Sequence, residues 1–191
     1  MEENKKSLTP DNKFEFPVIR EQESCCGGDP AVDEVTSASR MDQSFVSGST
    51  DTPAGPVPNV SSVLTSRDRW GTIKARLGGF RMNYAIHPGL YALGKPDEQS
   101  PVLVTANYKM SFDRLRNALP DRKAWILVLD TKGINVWCAA GKGTFGTKEL
   151  MKRIDLSGLK KIVSHRKIIL PQLSAPGIAA HQVRQSTGFT V

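Results

Sequence analysis

Cysteine is scarce in this chain, with three in 191 residues. Three thiols cannot build a paired disulfide framework, and they exclude a four-cysteine zinc or iron–sulfur site within one chain. Long hydrophobic runs are missing too. The best, Ala124–Leu129, has six residues, against the roughly 18–20 that a bilayer-crossing helix needs. No apolar stretch follows the lysines of the N-terminal MEENKKSLTP, so no signal peptide is visible. Histidine is equally sparse, and the spacing of His87, His165 and His181 matches no metal-ligand pattern. These absences predict a soluble, cytoplasmic protein of one domain plus extras, because a single domain typically runs ~100–200 residues.

What is present is divided unevenly. The net charge of +7 conceals an acidic first third and a basic remainder. Residues 1–66 carry five basic and eleven acidic residues, a net −6; residues 67–191 carry 21 basic and eight acidic, a net +13. The first part also holds ten Ser, six Pro and only thirteen Leu, Ile, Val and Phe. So little apolar surface does not offset the entropy of ordering the segment, which predicts a disordered acidic tail over 1–66 and a folded domain over 67–191. Nucleic-acid binding is the generic meaning of a strongly basic domain, but no recognition motif supports it here.

Within 67–191, residues 101–107 (PVLVTAN) read as a buried strand, and Lys109 to Leu119 as an amphipathic helix stopped by Pro120. Ala124–Leu129 reads as a second strand. The turn Asp130-Thr-Lys-Gly133 leads to a predicted third strand over 134–138. A helix is predicted over 145–154, and short strands over 159–163 and 167–170. Strands alternating with helices predict an α/β domain with a mainly parallel sheet. Ligands in such folds bind outside the carboxyl ends of strands, which directs attention to the junction at 138–144.

Gly141-Lys-Gly143-Thr-Phe-Gly146 matches G-x-G-x-x-G, but two features weaken a dinucleotide reading. No acid closes the next predicted strand, and at least two strands precede the glycines. A P-loop is excluded because Gly143, not Ser or Thr, follows Lys142. A phosphatase loop fails because Thr144 stands where its arginine is required. What remains is Cys138 beside Ala139, Ala140 and a helix start. A thiol near a helix N-terminus, with Lys142 close by, has its thiolate favoured. Small neighbours at Ala139, Ala140, Gly141 and Gly143 would let a large flat ligand approach the backbone. On these grounds Cys138 is a candidate nucleophile or a candidate axial ligand to a soft or borderline metal, set against the plainer alternative of a small buried hydrophobe.

The eight residues 135–142, NVWCAAGK, resemble the cap-helix motif of the mercury-methylating corrinoid proteins (HgcA). The corrinoid domain of that family is similar to that of the corrinoid iron–sulfur protein and the CO dehydrogenase–acetyl-CoA synthase delta subunit family. Residues 87–92 (HPGLYA), 101–109 (PVLVTANYK) and 163–183 (VSHRKIILPQLSAPGIAAHQV) extend the likeness over roughly 67–191. The resemblance implies a Rossmann-like domain holding cobalamin or another cobamide, base-off, with the Cys138 thiolate as lower axial ligand to cobalt. It implies transfer of the cobalt-bound methyl group to Hg(II), forming methylmercury, because a thiolate trans to the methyl is strongly electron-donating. The alternatives are a corrinoid methyl carrier of the acetyl-CoA pathway and a non-catalytic nucleotide-binding Rossmann module.

The roles implied for other residues are graded by position. Asn135 is expected to hold Cys138 in place, with Val136, Gly141, Lys142 and Gly143 around the ligand and Thr144 as a helix N-cap. Trp137, alternating with Cys138 along a strand, is expected in the core. Thr105 and Asn107 are expected to meet the corrin side chains, and Gln172, Ser174, Ala175 and Gly177 the nucleotide tail. His165 lacks the Asp-x-His-x-x-Gly company of a His-on corrinoid protein and reads as structural. Cys25 and Cys26 are adjacent thiols able to take up Hg(II), though their default reading is an incidental pair. The implied partners are a ferredoxin-like [4Fe–4S] reductase, since this chain has no cluster of its own, and a methyl-donor methyltransferase. Full-length relatives of the family continue into a C-terminal membrane domain that these 191 residues do not include. The basic charge suits either an anionic inner membrane face or an acidic redox partner.

Overall fold

The computed structural model describes residues 41–77 and 84–191. Every described residue falls in one compact unit. Its centre is a six-stranded sheet: β1 (Val46–Thr52), β2 (Gly55–Val60), β3 (Gly89–Leu93), β4 (Val102–Ala106), β5 (Ala124–Leu129) and β6 (Ile168–Ile169). The strand order is β1-β2-β3-β5-β4-β6. The pairs β2/β3, β4/β5 and β4/β6 are parallel, while β1/β2 and β3/β5 are antiparallel. The mixed, mostly parallel α/β sheet fits the Rossmann-like expectation.

β5 explains the layering. All six of its residues are buried, as a central strand covered on both faces requires. Its side chains alternate between two cores. Trp125, Leu127 and Leu129 join Phe145, Leu150, Ile154, Leu159 and Phe189 on one face. Ile126 and Val128 join Phe45, Val60, Tyr91 and Phe112 on the other. The helices are α1 (Ser66–Leu77), α2 (Lys109–Asn117), α3 (Val136–Gly141), α4 (Thr147–Leu156), α5 (Leu159–Ile162) and α6 (Ala180–Thr187), with a 3₁₀ segment at Gln172–Gly177.

The buried face of α2 carries charge. Lys109, Phe112, Asp113 and Arg116 recur at helical spacing and are all buried. Lys109 Nζ lies 2.7 Å from Asp68 Oδ1 and 2.6 Å from Asp113 Oδ2. Arg116 reaches Asp68 through Nη2 at 2.8 Å and Asp113 through Nε at 2.9 Å. Two cations and two anions thus compensate one another and fasten α1 to α2.

Three expectations are corrected. Residues 41–66 are not all tail: β1 and β2 lie there, forming an antiparallel hairpin that extends the sheet. The predicted strand over 134–138 is the start of helix α3, because Asn135 caps it. The predicted strand over 159–163 is helix α5, where Leu159 and Ile162 are buried one turn apart. Cys25 and Cys26 lie outside the described residues.

Candidate functional site: the cap helix at the end of β5

Parallel strands β4 and β5 end side by side at Ala106 and Leu129, and the chain leaves both at the edge where α/β folds bind ligands. After β5 it makes a tight turn with two consecutive left-handed residues, Lys132 (φ 58°) and Gly133 (φ 71°). It then enters α3. Asn135 is extended at the N-cap, and its Oδ1 accepts the Cys138 N–H at 2.9 Å. This is the N-cap geometry that satisfies one of a helix's orphan donors. Cys138 therefore stands in the first turn, half-buried, with its backbone held by Asn135 as the sequence led one to expect.

The neighbours divide into a packed side and an open side. Ala139 and Ala140 are buried against the core. Gly141, Lys142 and Gly143 are exposed. A Cβ added at Gly141 or Gly143 would meet nothing within 4 Å, and Gly143 has the left-handed φ of 76° that favours glycine. Trp137 is 69% exposed and not a core residue: in a helix, unlike a strand, its position carries it off the buried stripe that Ala139 and Ala140 occupy. Val136 is partly buried against the core. Thr144 does not cap a helix. Its Oγ1 donates to Ala139 O at 3.4 Å, and Gly146 is the N-cap of α4.

The 3₁₀ segment packs beside α3, and glycine makes the approach close. A Cβ on Gly177 would collide with Phe145 O and lie 3.5 Å from Ala140 Cα. Gln172 and Ala175 are exposed there. Ser174 is fully buried and spends its hydroxyl on Pro171 O at 2.7 Å. Thr105 is buried inside β4, opposite Val128. Neither Ser174 nor Thr105 lies on an accessible surface for a ligand to meet. His165 is structural: its Nδ1 accepts the Lys167 N–H, so the proton sits on Nε2, which donates to Ser100 O at 2.9 Å. Partly buried His87 receives the Tyr91 hydroxyl on its backbone carbonyl, and His181 is exposed on α6.

A cavity of about 300 Å³ opens beside Asn135, lined by Tyr108, Ser111, Arg76 and Arg114 among others; nothing in the sequence reading pointed to it, because its walls come from α1 and α2. Asp130, at the root of the loop, is partly buried, which works against its charge. The Lys132 ammonium at 2.7 Å and the Lys132 N–H outweigh that burial and hold the carboxyl below its ordinary range. Among the described residues, no group of three or more His, Cys, Asp or Glu is placed to hold a metal ion.

The half-buried thiol thus stands on an open helical turn at the carboxyl edge of the parallel strands β4 and β5, in a Rossmann-like α/β domain. Residues 80–191 match the family of the CO dehydrogenase/acetyl-CoA synthase delta subunit, and the chain belongs to that family. Among similar proteins, the acetyl-CoA decarbonylase/synthase complex subunit gamma of Methanocaldococcus jannaschii is 36% identical over 112 residues, 58% of this chain and 22% of that protein. The corresponding subunit of Methanopyrus kandleri is 33% identical over 108 residues, 56% of this chain and 23% of its own length. That of Methanothermobacter thermautotrophicus is 27% identical over 192 residues, 95% of this chain and 39% of that protein. The chain thus spans well under half the length of these relatives.

Proposed function

We propose that this chain is the cobamide-binding domain of a methyl-transfer system, with Cys138 as the lower axial ligand. Membership in the delta subunit family and similarity to complex subunits support the reading of a corrinoid methyl carrier related to the acetyl-CoA pathway. The observation that carries the site is Cys138 on α3, held by Asn135 beside a face free of side chains at Gly141 and Gly143. The residues fit the group. A soft sulfur donor suits cobalt, and the glycines leave room for a flat macrocycle.

When bound, the cobamide supplies the metal that accepts and releases the methyl group. The protein's own residues set the conditions. Asn135 fixes the backbone of Cys138, so the sulfur is presented rather than mobile. Trp137, exposed beside it, is available to a ligand edge or a partner surface. Lys142 places a positive charge one turn beyond the thiol.

The acceptor distinguishes two readings. A protein acceptor follows from the complex subunits among the relatives. Hg(II) as the substrate is favoured by Cys138 itself, since a thiolate holding the cobamide would donate electron density to its metal and would favour methyl transfer to a soft electrophile. A methyl-donor methyltransferase and a ferredoxin-like [4Fe–4S] reductase complete either system, at a cytoplasmic location that includes the inner membrane face.

The test is reconstitution of the chain with hydroxocobalamin, wild type beside Cys138→Ala. A visible spectrum that differs between the two supports sulfur ligation, and identical spectra overturn it. Loading with methylcobalamin and adding Hg(II) then separates the acceptors. Methylmercury formed by wild type and abolished in Cys138→Ala supports mercury as the substrate. No methylmercury from a cobamide-loaded wild type leaves the protein-acceptor reading.

A further inference from the structure

We propose that Asn107 is a positioning residue for Cys138: from the end of β4 it clamps the loop that delivers α3. This extends the reading of Cys138 as the cobalt ligand and replaces the expectation that Asn107 meets the corrin. Its side chain is buried and hydrogen-bonded through both its oxygen and its nitrogen. Oδ1 accepts the Thr131 N–H at 3.0 Å and the Gly133 N–H at 3.0 Å. The Thr131 hydroxyl stands 2.8 Å from the same oxygen and 2.7 Å from Ile134 O, sharing its one proton between them. Nδ2 donates to Asp130 Oδ1 at 3.4 Å.

The backbone of Asn107 is anchored as well. Its N–H donates to Leu129 O, and its C=O accepts the Ile86 N–H. One rigid residue therefore satisfies the buried donors of a turn whose Lys132 and Gly133 both hold left-handed φ. Without that acceptor, two buried N–H groups would be orphaned, and an unpaired buried donor is what a loop relieves by opening. Two residues beyond Gly133, Asn135 holds the Cys138 N–H. The line from Asn107 through residues 131–135 to Cys138 consists of neutral hydrogen bonds throughout. α4 supplies a second fastening, since Glu149 Oε1 accepts the Asp130 N–H at 2.9 Å. That bond fixes the root of the loop; within the turn the Lys132 N–H to Asp130 Oδ1 and the Ile134 N–H to Thr131 O are local, while Asn107 ties the turn to the end of β4.

The experiment uses the full chain with Cys25→Ser and Cys26→Ser, so that Cys138 is its one thiol, and measures the rate of alkylation by iodoacetamide without any cobamide. Asn107→Leu, isosteric but unable to accept, is expected to raise the rate by about tenfold or more, as loss of a buried acceptor lowers the cost of local opening. Asn107→Ser, polar but too short to reach residues 131 and 133, is expected to give a smaller rise and serves should the leucine variant fail to fold. The exchange Asn107→Asp with Asp130→Asn keeps both an acceptor for the turn and a donor toward it, and should return the rate to within about twofold of wild type, the residue of coupling expected for a conserved contact. A folded Asn107→Ser protein that alkylates at the wild-type rate overturns the proposal, as does an exchange variant as fast as Asn107→Leu.

A second arm records the hydroxocobalamin spectrum of Asn107→Ser. A drop in the sulfur-ligated fraction supports the positioning role, and an unchanged fraction overturns it. If wild type and Cys138→Ala give the same spectrum, the ligand reading fails instead, while the alkylation arm still decides the clamp.

Discussion

Two buried polar networks flank β4, and they are built from opposite materials. On one side, Asp68, Lys109, Asp113 and Arg116 form a compensated set of charges between α1 and α2. On the other, Asn107, Thr131 and Gly133 form a neutral set beneath the loop to α3. The two begin only two residues apart, at Asn107 and Lys109. The charged set is stiff in an all-or-none way: its members are buried together, and each needs the others. The neutral set can be loosened one bond at a time, which suits a segment that must present a ligand atom. Strong electrostatics serve the scaffold here, and ordinary hydrogen bonds serve the site.

The sharpest way to break that contrast is Arg116→Ala. Arg116 is 1% exposed, and its guanidinium also donates to Ser61 O at 2.6 Å and packs near the Phe45 and Phe112 rings. Removing it leaves two buried carboxylates sharing the single Lys109 ammonium, and breaking a buried pair from one side costs about 3–5 kcal/mol. Urea unfolding should show a loss of that size, while the alkylation rate of Cys138 in the protein that remains folded stays near wild type. A large change at Cys138 would mean that the two networks are one.

Acid offers a second probe of the charged set. Burial works against an ionised Asp68, but the Lys109 ammonium and the Thr65 donors overcome it and hold the carboxyl well below the usual carboxylate range. A depressed folded-state pKa contributes stability that is complete above the unfolded value of about 3.9 and disappears as pH falls below it toward the folded value. Unfolding midpoints measured downward from pH 6 should hold until about pH 4–5 and then decline. In Asp68→Asn the starting stability should be lower and the acid decline shallower. An unchanged acid slope would remove Asp68 from the account.

Gly177→Ala probes the neutral side, with a smaller effect. The added methyl would collide with Phe145 O while meeting Ala140 Cα at an ordinary 3.5 Å, so the 3₁₀ segment and the loop that follows α3 must separate. Overpacking of this kind costs about 1–3 kcal/mol, to be read from urea unfolding. Because the displaced Phe145 donates its N–H to Ala139 O of α3, the Cys138 alkylation rate should change as well, the reverse of the pattern expected for Arg116→Ala.

Much of this architecture is legible in the residues, and what is not has identifiable physical reasons. β4 and β5 are short apolar, β-branched runs, and both lie where periodicity puts them. The segment over 134–138 reads as a strand because Ile, Val and Trp favour strands, yet Asn135 is a strong N-cap followed by two alanines. The cap outweighs the propensity. β1 and β2 are hidden by Ser, Gly and Pro. Pro56 and Pro58 sit opposite β1, while pairing of β2 with β3 begins only at Asn59, so the prolines fall outside the ladder between β2 and β3. The motif around Cys138 is visible as sequence, but the role of Asn107 is not: it depends on β4 and β5 ending in register, a non-local fact.

The smallest expected effect concerns Trp137. Trp125, the tryptophan of β5, is buried and donates its indole N–H to Asp97 O at 2.9 Å, whereas Trp137 stands in the open on α3. Substitutions away from packed features usually change stability by no more than about 0.5 kcal/mol, so Trp137→Ala should leave the urea midpoint of the chain nearly unmoved. The backbone position of the neighbouring thiol is held by Asn135 and not by the indole, and the alkylation rate of Cys138 should likewise hold. If Trp137→Ala nonetheless loosened the grip of the protein on hydroxocobalamin, that loss would belong to the exposed ring itself, because neither the fold nor the presentation of the sulfur would have changed. A fall in stability comparable to that of Gly177→Ala would instead show that the ring packs against the domain and that the open face of α3 is narrower than Gly141 and Gly143 suggest.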